Sequence, residues 1–203
     1  MRTEFLTTRA ELGALVAEAS RVIRTDGGLP EWPFATDDGI VDFCYYGETW
    51  DHGMACILDH LANVHGDRAI SGVQLQPESS ALWEKFGAEP GFRIERERVL
   101  SDYREVVGEE PRPLLSTINH AQTFVLFGSS GQWAIWTDAR WETTVIWARS
   151  SVPTWRTAVT QVPFVACSTA ISDFLTPIGA GSRVSRAERA IFSSTFSRRS
   201  VEP

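Results

Sequence analysis

Between Phe124 and Trp147 the chain reads FVLFGSSGQWAIWTDARWETTVIW, runs of aromatic and β-branched residues separated by two short polar turns. This pattern predicts a β-meander. Phe124 to Phe127 form a first strand closed by Gly128-Ser129-Ser130-Gly131, and Gln132 to Thr137 and Thr143 to Trp147 follow, joined through Asp138-Ala139-Arg140. Successive side chains of a strand face opposite ways, so Trp133 and Ile135 point to one side and Ala134 and Trp136 to the other. Both faces are therefore apolar. Strands of this kind must be covered on both sides, by helices, another sheet or a partner chain. Trp133, Trp136 and Trp147 read as core, whereas Trp141, beside a turn and next to Glu142, reads as exposed.

Other elements follow from periodicity and caps. Thr8-Arg9-Ala10-Glu11 has capping-box spacing, and Leu12, Leu15, Val16, Ala19, Val22 and Ile23 recur at helical intervals up to Asp26-Gly27-Gly28. Leu29 to Gly39 is a loop carrying Trp32 and Phe34. Ile40 to Tyr46 predicts a strand, with Val41, Phe43 and Tyr45 on one face, and Thr49 can cap a helix reaching about His65. Ala69 to Leu75 predicts a strand, Pro77 to Phe86 a short helix and Phe92 to Leu100 a strand with a solvated face. Ser101 to Pro113 is polar and reads as a flexible connection. After a turn at Val152 to Thr154, a helix is expected from about Pro163 to Leu175. Ser185-Arg186-Ala187-Glu188 repeats the capping box and opens a basic last helix, so that 185–203 reads as a loosely attached tail. The sum is a single α+β domain over residues 1–203, with a central, mainly antiparallel sheet containing the Trp-rich meander and flanked by helices.

A chain of 203 residues with 43% hydrophobic and 22% charged residues has ordinary globular composition. Cys44, Cys56 and Cys167 are too few and too scattered for a disulfide framework, which favours a reducing compartment. MRTEFLTTRAEL lacks the apolar core of a signal peptide, and no run reaches the roughly 18 apolar residues of a spanning helix. The expectation is a cytoplasmic protein without membrane contact. Nucleic-acid binding demands a basic groove, against a net charge of −7.

The most catalytic-looking stretch holds Asp51, His52, Cys56 and His60. The last three step by four, onto one helical stripe, and His and Cys four residues apart can share a zinc ion. Ends eight residues apart lie about 12 Å from each other along a helix, too far for all three to ligate one metal. A closed site would need another ligand that nothing in the sequence identifies, so no metal and no cofactor is expected. There is no G-x-S-x-G elbow, no H-E-x-x-H and no paired C-x-x-C, and Gly128–Gly131 lacks the Gly-Lys-Ser/Thr ending of a phosphate loop.

Charge is unevenly placed. From Asp26 to Asp67 there are nine acidic residues and no Lys or Arg. A solvated acidic face would explain this, and so would a surface that captures a cationic partner, with aromatic anchors and an association rate raised roughly 10 to 10³-fold by like-signed charge. The residues expected to bind are Glu31, Trp32, Asp37, Asp38, Asp42, Glu48, Trp50 and Asp51.

Phe127-Gly128, Gly131-Gln132-Trp133-Ala134-Ile135-Trp136, the turn Thr137 to Arg140, the strand Glu142 to Trp147 and the ending Asp173-Phe174-Leu175-Thr176-Pro177 resemble the SUKH superfamily of bacterial polymorphic-toxin immunity proteins. The resemblance implies an α+β domain that neutralises a cognate toxin by binding, without catalysis. An acidic, aromatic-dotted surface would suit a cationic nuclease toxin. A small hydrolase or metal-dependent enzyme using Asp51, His52, Cys56 or His60, and an intracellular scaffold or regulatory domain, are the competing expectations.

Overall fold

A computed structural model describes residues 4–5, 8–76, 91–108, 121–150, 153–174 and 184–201. Strands β1 (Glu4–Phe5), β2 (Ile40–Tyr45), β3 (Ala69–Gln76), β4 (Gly91–Glu95), β5 (Thr123–Gly128), β6 (Trp133–Asp138) and β7 (Thr143–Ala148) form one seven-stranded sheet. Its order is β1-β4-β3-β5-β6-β7-β2, and every pairing is antiparallel. The meander β5-β6-β7 is central, registered Leu126↔Ile135↔Ile146 across its three strands.

All residues of the meander strands are buried, and the alternation of their side chains separates two cores. Phe124, Leu126, Trp133, Ile135, Ile146 and Ala148 face helices α2 (His52–His65), α3 (Val99–Gly108) and α4 (Thr154–Ala158). Val125, Phe127, Ala134, Trp136, Val145 and Trp147 face α1 (Arg9–Ala19), the 20–36 segment and α5 (Arg186–Phe196). The two-sided cover demanded by the sequence is thus supplied by the chain itself, in an α+β domain.

Several boundaries differ from expectation. The capping box of α1 forms, but the helix stops at Ala19 and does not reach Asp26. Val22 and Ile23 leave the helix to pair with the loop: Ile23 bridges Phe34, and Ala35 N donates to Val22 O at 2.9 Å. Thr49 does not cap α2. It lies in a 3-10 turn (Tyr46–Trp50), and its hydroxyl meets those of Thr144 at 2.5 Å and Thr137 at 3.2 Å inside the core. The strand expected to Leu100 ends at Glu95, and Ser101–Gly108, expected as a connection, belongs to α3. Val99, Tyr103, Val106 and Val107 carry that helix onto the core, and Tyr103 OH donates to Thr49 O at 2.6 Å. The helix expected from Pro163 begins only at Cys167, because Val165 N bonds Phe43 O beside β2. The helix expected over Pro77–Phe86 lies outside the described residues.

Trp141 is not exposed. Its ring is fully buried and stacks on Phe192 of α5, with centroids 5.0 Å apart. Nor is the C-terminal helix loose: Phe192 and Phe196 are fully buried, the capping box of Ser185 and Glu188 is complete, and Arg140 Nη2 donates to Glu188 at 2.5 Å.

The β2 edge is closed by a buried ion pair. Asp42 is 0% exposed and accepts two 2.7 Å bonds from Arg156 and one of 3.1 Å from Trp155 Nε1. Arg156 also reaches Val201 O at 3.1 Å, where Val201 N and Arg199 O bond to Val41 and shield the strand. Breaking a buried pair strands one charge, so Asp42→Ala is expected to cost about 3–5 kcal/mol, while a jointly apolar replacement of Asp42 and Arg156 costs less. Urea unfolding of both variants measures the difference.

Glu188 gives a second test. Hydrogen bonds from Ser185, with help from Arg140, hold its pKa down at about 2. A depressed carboxylate pKa stabilises the fold above the unfolded value, near 4.3, and the contribution vanishes as pH falls through the folded one. Glu188→Gln should therefore melt below the parent protein at pH 7, and the gap should close between about pH 4 and pH 2.

Candidate functional site

The residues expected to form one acidic surface do not. Asp42 is buried against Arg156 as described above. Trp32 and Trp50 are also buried, so none of these three is available to a partner. Trp32 packs edge-on to Phe34, gives its indole proton to Thr36 O at 2.6 Å and lies under the Arg199 guanidinium, 4.4 Å from the ring centre. Glu31, Asp37 and Asp38 are exposed before β2. Asp37 pairs with Arg24 at 3.5 Å and Asp38 with Arg149 at 3.1 Å. Glu48 and Asp51 lie beyond the other end of β2, a strand of six residues that spans about 17–20 Å. The interval without cations in the sequence is thus divided in space, and in one half Asp37 and Asp38 are paired with arginines from outside it.

The end of the sheet holding Glu48 and Asp51 retains its charge. The 3-10 turn after β2 sits against the β6–β7 turn, where Tyr46 N donates to Glu142 O at 3.0 Å. Glu142 is exposed and takes a positive φ of 47°, a conformation that costs a non-glycine residue energy. Tyr45, paired with Thr143, is 44% exposed at the same end. No salt bridge joins Glu48, Asp51 or Glu142 to a cation among the described residues. Partial burial, and then the neighbouring Asp51 charge, push the Glu48 pKa above the ordinary carboxylate value. Glu142 was outside the interval that charge counting picked out, and only the turn pairing brings it in. Tyr45 was visible as an aromatic residue, but its exposure depends on where the strand ends.

Of the catalytic candidates, His52 and Cys56 meet and His60 does not join them. His52 Nε2 lies 3.8 Å from Cys56 Sγ on the first turns of α2, at the surface. His60 Nε2 is 2.9 Å from Thr154 Oγ1 of α4. Asp51 is the N-cap residue, and its side chain makes no capping bond. Among the described residues no group of three or more His, Cys, Asp or Glu is arranged to hold a metal, and no helix is long and apolar enough to cross a membrane. At the opposite end of the sheet, Gly66, Asp67, Arg68, Glu95, Arg96 and Glu97 line an open polar crevice of about 490 Å³. Its Arg96 is engaged by Asn63 and Glu97.

Comparison of the chain with protein-family models, with curated proteins and with solved structures finds no match.

Cys44 and Cys167 are buried and Cys56 is only partly so. Burial together with the Glu48 and Asp42 charges pushes the Cys44 thiol far up. An alkylating reagent should therefore label Cys56 alone in the native protein and all of the thiols in urea, which mass spectrometry of the intact chain reads directly.

Proposed function

We propose that this protein acts by binding, without catalysis, and that it captures a cationic protein partner at the sheet end bearing Tyr45, Glu48, Asp51 and Glu142. Immunity to a toxin is the role in which such binding is put to use. The observation that carries the reading is the neighbouring Glu48 and Asp51 charges, in no ion pair among the described residues, at the sheet end where Tyr45 is exposed and Tyr46 N ties the segment to the turn bearing Glu142. Glu48 is charged at a cost here, since burial and Asp51 both oppose its ionisation. A guanidinium or ammonium group arriving from a partner would relieve that cost, while a neutral or acidic partner would not. Tyrosine beside such charges offers a rigid anchor whose immobilisation costs little conformational entropy.

This reading moves the binding surface away from Asp37, Asp38 and Asp42. The first two already have guanidinium partners, and reversing the third would break the fold. Asp37 and Asp38 at the other sheet end contribute little, because a carboxylate paired within the chain adds little to steering.

The test begins with the gene neighbourhood. The immunity role expects an adjacent gene for a large toxin, whose C-terminal domain the protein should bind and whose lethality it should suppress on co-expression. Reversal of Glu48, Asp51 and Glu142 to Lys should slow that association by roughly 10 to 10³-fold at low salt, with the difference closing as salt rises. Reversal of Asp37 and Asp38 should change it little. Equal association rates for the two sets of variants would remove the sheet end from the account, and failure to bind any adjacent toxin would remove the immunity role.

A further inference from the structure

The His52–Cys56 contact is not used by the binding surface and has a chemistry of its own. His52 is the first residue of α2 and Cys56 stands one turn on, so that both side chains rise on the same stripe. Their spacing is compatible with joint coordination. In a tetrahedral zinc site with Zn–S near 2.3 Å and Zn–N near 2.0–2.1 Å, adjacent sulfur and nitrogen ligands stand about 3.6 Å apart. The observed separation is 3.8 Å. His52 is exposed and Cys56 partly so, which gives an ion direct access from solvent.

We propose that His52 Nε2 and Cys56 Sγ form a two-point clip for a soft divalent cation, zinc or cadmium, with its remaining coordination positions open. The pair is confined to one helix and draws on no other element, so the site is formed wherever α2 is formed. Its openness follows from its surroundings. His60, the third member of the stripe, is turned to Thr154, and Asp59 Oδ2 accepts from Asn63 Nδ2 at 3.1 Å, and among the described residues no group of three or more His, Cys, Asp or Glu is arranged to hold a metal. Water fills the open positions in the isolated protein. On binding, the S–H bond of Cys56 is broken, its electron pair forms the sulfur–metal bond and one proton passes to the buffer. His52 donates the lone pair of Nε2.

The full chain, reduced and metal-free, is titrated with cadmium while the ultraviolet thiolate-to-cadmium charge-transfer band is followed, and with zinc by calorimetry in buffers of different ionisation enthalpy. The expected result is one equivalent of either ion, with one proton released at neutral pH. Cys56→Ala should abolish the band, with Cys56→Ser as a second variant if the first fails to fold. His52→Ala should keep a band but weaken binding by roughly tenfold or more. Absence of a band would overturn the proposal. So would binding unchanged in His52→Ala, which would make the site a thiol alone, or a band surviving in Cys56→Ala, which would place the ion on Cys44 or Cys167. Toxin binding does not enter this measurement, so its outcome is independent of the capture surface.

Discussion

The structure depends on a sheet whose three central strands have no polar face. Every residue from Thr123 to Gly128, Trp133 to Asp138 and Thr143 to Ala148 is buried, so both sides must be dried at once, and removing either helical layer would leave a wall of aromatic and branched side chains in water. The wide rings set the tolerances. Gly39, at φ +95°, brings its backbone so close to Ala148 O and Trp147 Nε1 that a side chain there would collide with both. Gly128 is hemmed in by the Asp67 carboxylate and the Trp133 indole in the same way. Glycine at these positions is the consequence of packing tryptophan next to backbone.

Acidity and tryptophan content, two features that look unrelated in composition, are partly one construction. A buried indole N–H usually finds an acceptor, and although Trp50, Trp136 and Trp141 have none among the described residues, others do. Trp133 Nε1 donates to Asp67 at 2.7 Å, Trp155 Nε1 to Asp42 at 3.1 Å, and Trp147 Nε1 to the Asp38 carbonyl at 2.7 Å. Asp67 does more, since it also accepts from Ser129 Oγ at 3.2 Å and from Ser130 N, joining the end of α2 to the β5–β6 turn. Two carboxylates of the acidic interval, those of Asp67 and Asp42, are therefore in place to serve the core, while Asp38 serves it through its backbone carbonyl alone. Charge counted along a chain says little about charge on a surface when folding assigns carboxylates to indoles and brings guanidinium groups in from residues such as Arg149, Arg156 and Arg199.

What the sequence revealed and what it hid follow the same line. The meander and its opposite faces were legible because period-two alternation is local, and both capping boxes were legible because their hydrogen bonds span three residues. The end of α1 was not, since Val22 and Ile23 fit the helical stripe and leave it only because Phe34 and Ala35 offer backbone pairing. Helix α3 is hidden in the sequence although Val99, Tyr103, Val106 and Val107 recur at helical spacing, because its polar outer face has the composition of a solvated connection. Trp141 was misplaced because its cover, Phe192, lies fifty residues further on. The candidate site was half legible. Glu48 and Asp51 are neighbours in sequence, but Glu142 joins them through the pairing of β2 with β7, a contact that no local pattern carries.

The contrast between the two ends of the sheet bears on function. At the end near Asp37 and Asp38, opposite charges are matched and the backbone is tied down by Arg199, which donates to Asp37 O at 2.9 Å. At the other end, a non-glycine residue holds a positive φ, like charges sit side by side and an aromatic ring stays in solvent. Each of these opposes stability, and sequences usually remove such conflicts where nothing requires them. The Tyr46 N to Glu142 O bond and the buried hydroxyl contacts of Thr49 with Thr137 and Thr144 tie the 3-10 turn to β6 and β7. In the binding role proposed above, Glu48 and Asp51, which form no ion pair among the described residues, are the groups that a cation supplied from outside would meet.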